Sequence, residues 1–337
     1  MSPTRNASRA WPNRAYALGI RRVARQLVTP GRFVLAALAV LLIAGVVAAG
    51  GASTPRCYGA AARDAKHPCH NATLDRRVIP TPYDAVITPN APCIPAPGHS
   101  EPHQCTFGSR LASSRGTIAL IGDSHAGHWR GALIGVAAHY RWHGVSITRS
   151  GCQFSEATPL LSPSARAQCK AWRSQVLAWI GQHPEVRTVF VSEHPGPVVV
   201  TKGQGGVATK VRGYLAAWRS LPATVKHIVV IRDTPIDKTS TVPCINRAMH
   251  RHENAGVVCS IPVGGSLKID AAAVAVSLHH PARVRVADLT PFFCDSRCYP
   301  VVGGVLVHKD IDHLTALYSS TLGPYLLRRV ESFGIRR

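Results

Sequence analysis

Residues 117–125 read Thr-Ile-Ala-Leu-Ile-Gly-Asp-Ser-His, a short apolar run followed by a glycine and then by polar residues. The aliphatic and β-branched residues of the run are typical of a strand that is buried on both faces. Gly122 and Asp123 then predict a turn, and the residues from Ala126 onward have the pattern of a helix. We therefore expect Ser124 to lie in a strand-to-helix turn.

The same alternation continues through residues 106–335. Short runs rich in Val and Ile predict strands over 118–121, 145–148, 188–191, 227–231 and 284–287. The stretches between them predict helices over 126–139, 165–183, 208–221 and 269–279, with a last helix over 314–332. This pattern indicates a three-layer α/β domain with about five parallel strands and right-handed crossovers. Sites in such sheets form beyond the carboxyl ends of the strands, where Ser124, Gly151 and Asp233 all fall.

Residues 310–315 near the end of the chain read Asp-Ile-Asp-His-Leu-Thr. The spacing of Asp310 and His313 lets the carboxylate reach Nδ1 of the imidazole, so that Nε2 is free to face Ser124. A serine becomes a nucleophile when such a base takes its proton. Asp312 directly precedes His313, and we expect its side chain to point elsewhere. The sequence thus predicts Ser124, Asp310 and His313 as catalytic residues.

Each of these residues also has a simpler explanation. Asp123 and Ser124 are of the types that cap helices, and His313 could be an exposed residue at the start of a helix. His125 and His128 are three residues apart and, with Asp123, could form the site of a metal-dependent hydrolase. We expect instead that His125 flanks the pocket and that His128 lies on the helix, with no metal and no cofactor.

The formal net charge of +22 invites a nucleic-acid partner. Residues 1–32 hold seven arginines and no acidic residue, and most of the remaining charge comes from scattered arginines. No RNA-binding signature and no interleaving of basic and aromatic residues accompanies them, which argues against nucleic acid. A basic exterior would instead attract anionic envelope polymers or lipid headgroups.

Residues 33–52 run for 20 positions without a charge, the length of a helix that spans a bilayer. The arginines before this run predict a cytoplasmic segment over 1–32, a transmembrane anchor over 33–52 and an extracytoplasmic remainder. A cleaved signal peptide is the alternative, because small residues near position 50 resemble a cleavage site. Both alternatives export the rest of the chain.

The ten cysteines all follow the apolar run, as expected of disulfides in an oxidising compartment. Pairing of nearest neighbours is our prediction, although the sequence alone does not fix connectivity. A zinc site that combines Cys57 and Cys69 with nearby histidines is the alternative for the first pair. The predicted pairs are Cys57–Cys69, Cys93–Cys105, Cys152–Cys169, Cys244–Cys259 and Cys294–Cys298.

Residues 53–105 are rich in proline, alanine and histidine and hold four of the cysteines. Proline-rich tracts at 79–82 and 91–97 disfavour helices and central strands. We interpret this segment as a disulfide-tied stalk or cap that precedes a catalytic domain over 106–335.

The chain resembles the SGNH (GDSL-like) hydrolase superfamily through the Gly-Asp-Ser-His run at 122–125 and the Asp-x-x-His-Leu run at 310–314. More narrowly, residues 106–335 resemble the extracytoplasmic SGNH domain that is fused to membrane acyltransferases of the acyltransferase-three type. The stretches that carry this narrower resemblance are Gly-Asp-Ser-His-Ala-Gly-His-Trp at 122–129, Ser-Gly-Cys at 150–152 with Cys169, the run over 232–244 and the run over 291–315.

The resemblance implies a flavodoxin-like fold and the transfer or hydrolysis of O-linked acetyl groups on envelope carbohydrate. Ser124 would be the nucleophile, Asp310 and His313 its partners, and the Ser124 and Gly151 N–H groups oxyanion donors. The superfamily also places an asparagine after the third strand as an oxyanion donor, whereas this chain has Ser192-Glu-His there. Ser192 or His194 would have to substitute for it.

A second departure concerns the membrane part, since the fused proteins carry many membrane helices and this sequence predicts one. The leading hypothesis is therefore a membrane-anchored serine O-acyltransferase or acetylesterase, supplied with acyl groups by a separate multi-helix membrane acyltransferase or acting as an esterase. Its substrate would be a cell-envelope polysaccharide or glycolipid. The alternative is a catalytically degenerate domain that serves as an envelope-binding or assembly module.

Overall fold

The computed structural model describes residues 54–90, 94–95, 102–201, 203 and 205–335. The predicted cytoplasmic segment at 1–32 and the predicted anchor at 33–52 lie outside these residues. Among the residues that are described, no helix combines the length and the apolar character needed to cross a bilayer.

The strands of this structure are β1 (Ile94–Pro95), β2 (Cys105–Gly108), β3 (Gly116–Gly122), β4 (Trp142–Thr148), β5 (Val186–Ser192), β6 (His227–Ile231), β7 (Ile261–Pro262), β8 (Val284–Ala287), β9 (Arg297–Cys298), β10 (Val301–Val302) and β11 (Val305–Leu306). The helices are α1 (Pro82–Ile87), α2 (Ser124–Gly127), α3 (Arg130–Tyr140), α4 (Pro163–Gln182), α5 (Gly206–Ser220), α6 (Thr241–His250), α7 (Ala255–Val258), α8 (Val263–Ser266), α9 (Ala271–His279), α10 (Ala316–Thr321) and α11 (Gly323–Ser332).

The central sheet has the order β1-β2-β4-β3-β5-β6-β8. The last five strands in this order, from β4 to β8, are parallel, which confirms the α/β class and the parallel sheet predicted from the apolar runs. Numbered along the chain, these five strands have the order 2-1-3-4-5 of one type of doubly wound fold. The chain reverses its winding between β3 and β5, so the carboxyl end of β3 lies at the position where such folds bind ligands.

Helices cover both faces of this sheet, because alternate residues of each strand point to opposite sides. On one face Ile118 and Leu120 pack against α3, α10 and α11. On the other face Ala119 and Ile121 pack against α4, α5 and α9. Each strand is therefore buried on both sides, which explains why its sequence is a continuous apolar run rather than an alternating one.

Two of the predicted helices are each divided into two. The helix expected over 126–139 consists of α2 and α3, which begins at Arg130. The helix expected over 314–332 consists of α10 and α11, and Pro324 lies in the first turn of α11, where proline is tolerated because its missing N–H would have no partner there.

The strands β1 and β2 extend the sheet beyond the five that were predicted. β2 pairs with β4 in antiparallel orientation, and β1 pairs with β2. Phe107 of β2 is buried and lies against Gly144, where an added Cβ would come within 2.3 Å of the phenyl ring. These strands are too short to show a periodicity, so the apolar pattern missed them.

The described residues of the segment predicted as a stalk or cap have the form of a cap. Ala60 belongs to the same buried core as α3 and α10, and its N–H donates to Thr321 Oγ1 at 3.1 Å. Ile79 exchanges backbone hydrogen bonds with Gly304 and Leu306 at 3.0 and 2.9 Å. Residues 54–90 are therefore held on the body of the domain by these hydrogen bonds and by buried residues such as Ala60 and Leu74, although Tyr83, Val86 and Ile87 are exposed.

Four of the predicted disulfides are present, namely Cys57–Cys69, Cys152–Cys169, Cys244–Cys259 and Cys294–Cys298. The fifth prediction, Cys93–Cys105, includes Cys93, which lies outside the described residues. The Cys57–Cys69 disulfide argues against the zinc site considered for these two cysteines, because both sulfurs are used in the bond.

Candidate active site

Ser124 is the first residue of α2, directly beyond the carboxyl end of β3. The turn depends on Gly122, whose φ of 144° is rarely adopted by residues with a side chain. A Cβ at this position would also lie 2.2 Å from the Ser192 carbonyl oxygen. Glycine thus lets β3 pass close to the end of β5 and turn sharply, which presents Ser124 at the edge of the sheet.

Asp123 fastens this turn to the neighbouring loop. Its Oδ1 accepts the N–H of His125 at 2.9 Å, and its Oδ2 accepts the N–H of His194, after β5, at 3.0 Å. Burial raises the pKa of this carboxyl, although the nearby His125 and both backbone donors act in the opposite direction. The capping role considered for Asp123 is therefore real, and it also fixes the loop that follows β5.

His313 lies next to Ser124, as the two short motifs predicted. Its Nε2 is 2.9 Å from Ser124 Oγ, and its Nδ1 is 2.9 Å from Asp310 Oδ2. Asp310 Oδ1 also accepts the backbone N–H groups of Asp312 and His313, at 3.0 and 2.7 Å. The Asp310 carboxylate thus shapes the loop that contains His313 and also orients the His313 imidazole.

Asp312 also reaches this imidazole, which the sequence reasoning did not anticipate. Its Oδ1 is 3.0 Å from His313 Nδ1, whereas we expected the side chain to point elsewhere. The tight turn around Asp310 Oδ1 redirects the Asp312 side chain inward. Asp312 is also the more enclosed of the two acids, because its side chain is 15% exposed and that of Asp310 is 45% exposed.

The two carboxylates set the charge of the base. The hydrogen bonds to Asp310 and then to Asp312 raise the pKa of His313 to about 10, against the opposing effect of burial. The pKa of Asp312 is lowered by its hydrogen bond with His313. For Asp310, burial is outweighed by the hydrogen bonds that it accepts, so its pKa is also lowered. The imidazolium that forms when His313 takes a proton is therefore strongly stabilised.

Two further histidines face Asp312 from the other side. His125 Nε2 lies 3.9 Å from Asp312 Oδ1, and His194 Nε2 lies 3.5 Å from Asp312 Oδ2. Their rings stack on each other with centroids 4.3 Å apart. Burial is the largest effect on both, and it lowers the pKa of each to about 4. Both rings are therefore neutral at ordinary pH, and they enclose Asp312 without adding a positive charge.

A buried carboxyl, Asp233, orients His125 from beneath. Asp233 Oδ1 lies 2.7 Å from His125 Nδ1, and both side chains are almost completely enclosed. The Asp233 N–H donates to Asp270 Oδ2 at 3.0 Å. Burial, followed by the nearby charge of Asp270, raises the pKa of Asp233. Its position after the fourth predicted strand placed it at this edge of the sheet, but no local motif linked it to His125.

His128 supports the loop that carries His313. Its Nδ1 accepts the N–H of Leu314 at 3.3 Å, and its carbonyl accepts the Ser319 hydroxyl at 2.6 Å. His128 is fully buried, which lowers its pKa well below the ordinary value. It lies in the turn between α2 and α3 rather than within the predicted helix, and it connects the nucleophile turn to the loop before α10.

The comparison with known families agrees with this arrangement. The family model described as "SGNH domain (fused to AT3 domains)" matches residues 92–328. The chain belongs to this SGNH family. It is accordingly an enzyme of the esterase or acyltransferase type. No curated protein matches the chain at a significant level.

Solved structures support the fold of this SGNH domain. The periplasmic domain of a lipopolysaccharide acetyltransferase from Salmonella ser. Paratyphi A superposes with a TM-score of 0.51 at 14% identity, over 68% of this chain and 91% of that one. An esterase domain from Rhodothermus marinus is matched over 68% of this chain and 92% of that one at 11% identity, with a TM-score of 0.27 that is too low to support an argument.

The SGNH domain offers two backbone donors near its nucleophile turn. Among the described residues, neither the Ser124 N–H nor the Gly151 N–H has a hydrogen-bond acceptor. Gly151 follows β4, has a φ of 74° and is exposed. Ser192 was predicted as a further oxyanion donor, but its side chain is buried. Its side chain is 1% exposed, and its hydroxyl is enclosed without a partner among the described residues.

Metal binding was the alternative for the histidines of this SGNH domain. Within the described part of the chain, three groups have ligand atoms within 4.8 Å of one another: His125, His194 and Asp312; His125, His128 and Asp233; and Asp310, Asp312 and His313. The rings of His125 and His194 are inclined by only 16°. A single ion could not lie in both ring planes, where the nitrogen lone pairs point, so the first group fits a metal poorly. The absence of a metal stays a prediction.

Proposed function

We propose that this chain is a membrane-anchored, extracytoplasmic serine O-acyltransferase or acetylesterase that acts on cell-envelope carbohydrate. The observation that carries the proposal is the row of contacts from Ser124 Oγ to His313 Nε2 and from His313 Nδ1 to two carboxylates. This is the arrangement that a serine needs to attack an ester, because the base is adjacent and its orientation is fixed.

The reaction would proceed through an acyl-enzyme. Ser124 Oγ attacks the carbonyl carbon of the acyl donor while His313 Nε2 accepts its proton. The tetrahedral intermediate then collapses, and the leaving oxygen receives that proton from His313. A sugar hydroxyl or a water molecule next attacks the acyl group and loses its proton to His313. The bond between the acyl carbon and Ser124 Oγ then breaks, and His313 returns the proton to Ser124. Transfer and hydrolysis differ only in this second nucleophile.

The N–H groups of Ser124 and Gly151 would stabilise the negative charge on the carbonyl oxygen. Both are without an acceptor among the described residues, and both lie at the carboxyl ends of adjacent strands. The Ser192 hydroxyl is buried and cannot reach a substrate without moving. We therefore do not include Ser192 among the proposed oxyanion donors. The imidazole of His194 faces Asp312 and serves instead to hold that carboxylate.

We infer that Asp312 shares the work of orienting His313 with Asp310. Its oxygen is as close to Nδ1 as the oxygens of Asp310, and it is better shielded from water. The His125–Asp233 pair and His194 restrict where its carboxylate can lie. A charge held in a partly buried site interacts more strongly with the imidazolium than an exposed one. The base is thus held by two acids rather than by one.

Anchoring and export remain part of the proposal. The disulfides support an oxidising compartment, and the apolar run at 33–52 supports a single-pass anchor with a cytoplasmic N-terminus. SGNH domains of this family are fused to AT3 domains. By analogy, a separate multi-helix membrane acyltransferase would supply the acyl group.

A product assay tests the proposed reaction. The full chain is incubated with 4-nitrophenyl acetate and an oligosaccharide, and the products are identified by mass spectrometry. We expect enzyme-dependent acetate, and an acetyl ester on the sugar if the acceptor binds next to Ser124. Acetylated sugar assigns the chain as a transferase, and acetate alone assigns it as an esterase. If neither product exceeds the uncatalysed background, the proposed function is wrong.

The pH dependence tests the role of the two acids. His313 must be neutral to accept the Ser124 proton, and the carboxylates raise its pKa, so kcat/KM should rise with pH through the neutral and alkaline range. Asp312→Asn removes one negative charge and lowers this pKa, which should move the rising limb to lower pH. Rates are measured with 4-nitrophenyl acetate, with the rate of Ser124→Ala subtracted as background.

The control for this profile is Glu185→Gln. Glu185 is exposed and lies just before the amino end of β5, at the opposite edge of the sheet. The Glu185→Gln substitution removes one negative charge, as Asp312→Asn does, but far from the site. Its pH profile should therefore coincide with that of the parent protein. An unshifted limb in Asp312→Asn would show that Asp312 does not act on His313.

A further inference from the structure

A basic cavity lies at the loop that follows β4, the strand next to β3, and has no part in the chemistry described so far. It has a volume of about 190 Å³ and is enclosed by the loop after β4 and by the first half of α4. The Cys152–Cys169 disulfide joins these two walls.

The wall of the cavity is tied directly to the active site. The Arg149 N–H, at the start of the loop after β4, donates to the Gly122 carbonyl at 3.0 Å, two residues before the nucleophile. The Gln153 side-chain amide, which lines the cavity, donates to the carbonyl of His194. The N–H of His194 in turn donates to Asp123. A molecule in the cavity would therefore contact Gln153, whose side chain is hydrogen-bonded to the loop that follows β5.

Three cations of α4 line the cavity from one side. Arg166, Lys170 and Arg173 are four and three residues apart, so they lie on one face of the helix. Arg173 is committed to the wall, because it donates to the Ser155 carbonyl at 2.6 Å and to Glu156 at 2.7 Å. Arg166 and Lys170 make no side-chain hydrogen bond or ion pair with the described residues.

The position of these cations favours a negatively charged ligand. Arg166 lies in the first turns of α4, and no acidic residue is present in its first turn. The positive end of the helix dipole thus adds to the two cations that have no protein partner. Glu156 is the one acid among the described residues that line the cavity, and Arg173 pairs with it. A neutral sugar would leave both charges unpaired, whereas a carboxylate or phosphate would accept their hydrogen bonds.

We propose that this cavity is an acceptor subsite for an acidic envelope glycan. Arg166 and Lys170 would bind a carboxylate or phosphate on one sugar unit, and Gln153 would lie between that unit and the nucleophile turn. The neighbouring hydroxyl of the glycan would then face the acyl group on Ser124. The inference rests on the proposed function and names its substrate class.

Binding of a defined acidic oligosaccharide tests the subsite. Isothermal titration of the full chain with trigalacturonate is compared with titration with maltotriose, a neutral trisaccharide of the same length. We expect the acidic trimer to bind and its affinity to fall with added salt, as charge pairing requires. The variant Arg166→Glu with Lys170→Glu should weaken trigalacturonate binding by at least about tenfold, because two charge-assisted contacts become repulsive.

A matched variant separates this subsite from the general positive field of the protein. Arg187→Glu with Lys226→Glu makes the same change of charge at exposed positions on the opposite edge of the sheet. It should change the affinity less than twofold. Equal weakening by both double variants, unaltered binding in the Arg166 and Lys170 variant, or equal binding of the two trimers would each overturn the subsite.

The outcome for the subsite is distinguishable from the outcome for the proposed function. The Arg166 and Lys170 variant should hydrolyse 4-nitrophenyl acetate within twofold of the parent rate, since neither residue touches Ser124 or His313. If the parent protein does not hydrolyse 4-nitrophenyl acetate, the proposed function is contradicted, but the binding result still stands. Loss of this hydrolysis in the variant alone would contradict the assignment of these cations to acceptor binding.

Discussion

Replacing Ser124 by alanine will lower kcat for 4-nitrophenyl acetate by roughly 10⁴-fold or more while the domain stays folded. Removal of a serine nucleophile has effects of this size because the base alone cannot form the acyl-enzyme. Ser124 is partly exposed at the first residue of α2, and Asp123 rather than Ser124 caps this helix. The loss should therefore be catalytic and not structural, which circular dichroism and thermal unfolding will check.

Ser220→Ala is the matched control for this variant. Ser220 is an exposed serine at the end of α5, and its hydroxyl donates to the Ala216 carbonyl. It should retain the parent activity and the parent reaction with a fluorophosphonate probe, whereas Ser124→Ala should lose both. Undiminished hydrolysis in Ser124→Ala would remove Ser124 from the mechanism. A parent protein that hydrolyses nothing and takes up no probe would favour the degenerate binding module.

The double variant Asp310→Asn with Asp312→Asn should lose roughly 10⁴-fold in kcat, the effect of leaving a catalytic histidine without its carboxylate. Each single variant should lose far less, on the order of tenfold, because the remaining carboxylate still contacts His313 Nδ1. Asparagine keeps an oxygen at position 310 that can accept the two backbone N–H groups of the loop. The loop should thus keep its shape in all three variants.

The two acids should therefore act non-additively in a double-mutant cycle of kcat. The product of the two single losses should fall well short of the loss in the double variant. A full loss in Asp310→Asn, with no effect of Asp312→Asn, would restore the simple triad in which Asp312 is a bystander. A full loss in Asp312→Asn alone would transfer the orienting role to that residue.

Much of the fold could be predicted from the sequence because the central strands are buried on both faces. The predicted strands at 227–231 and 284–287 have the observed bounds, and the other three lie within longer observed strands. Apolar runs give a clear signal where every side chain meets a helix layer. The strands β1 and β2, at one side of the sheet, carry no such run, because in β2 only Phe107 is buried.

The candidate triad could be predicted because its parts are local motifs. Asp310 and His313 are three residues apart. Ser124 directly follows the turn at Gly122, so its position after β3 can be read from neighbouring residues. The pair His125–Asp233 could not be predicted in this way, because its residues are 108 positions apart and meet only when β3 and β6 lie in one sheet. Their contact depends on strand order, which no short motif encodes.

Asp312 marks a different limit of sequence reasoning. The expectation that adjacent side chains diverge holds for extended chain, but Asp310 Oδ1 pulls the backbone of the next residues into a tight turn. In that turn Asp310 and Asp312 converge on the same nitrogen of His313. Turn chemistry, rather than residue type, thus determines which acids surround the base.

The central claim is that an acyl group passes through Ser124, and rapid quenching followed by peptide mass spectrometry tests it most directly. After brief reaction of the full chain with 4-nitrophenyl acetate in acid-quenched samples, the peptide that contains Ser124 should carry the mass of one acetyl group, located on that serine by fragmentation. The acetyl group should disappear when an acceptor is added. An active protein whose acetyl group lies on another residue would contradict the claim.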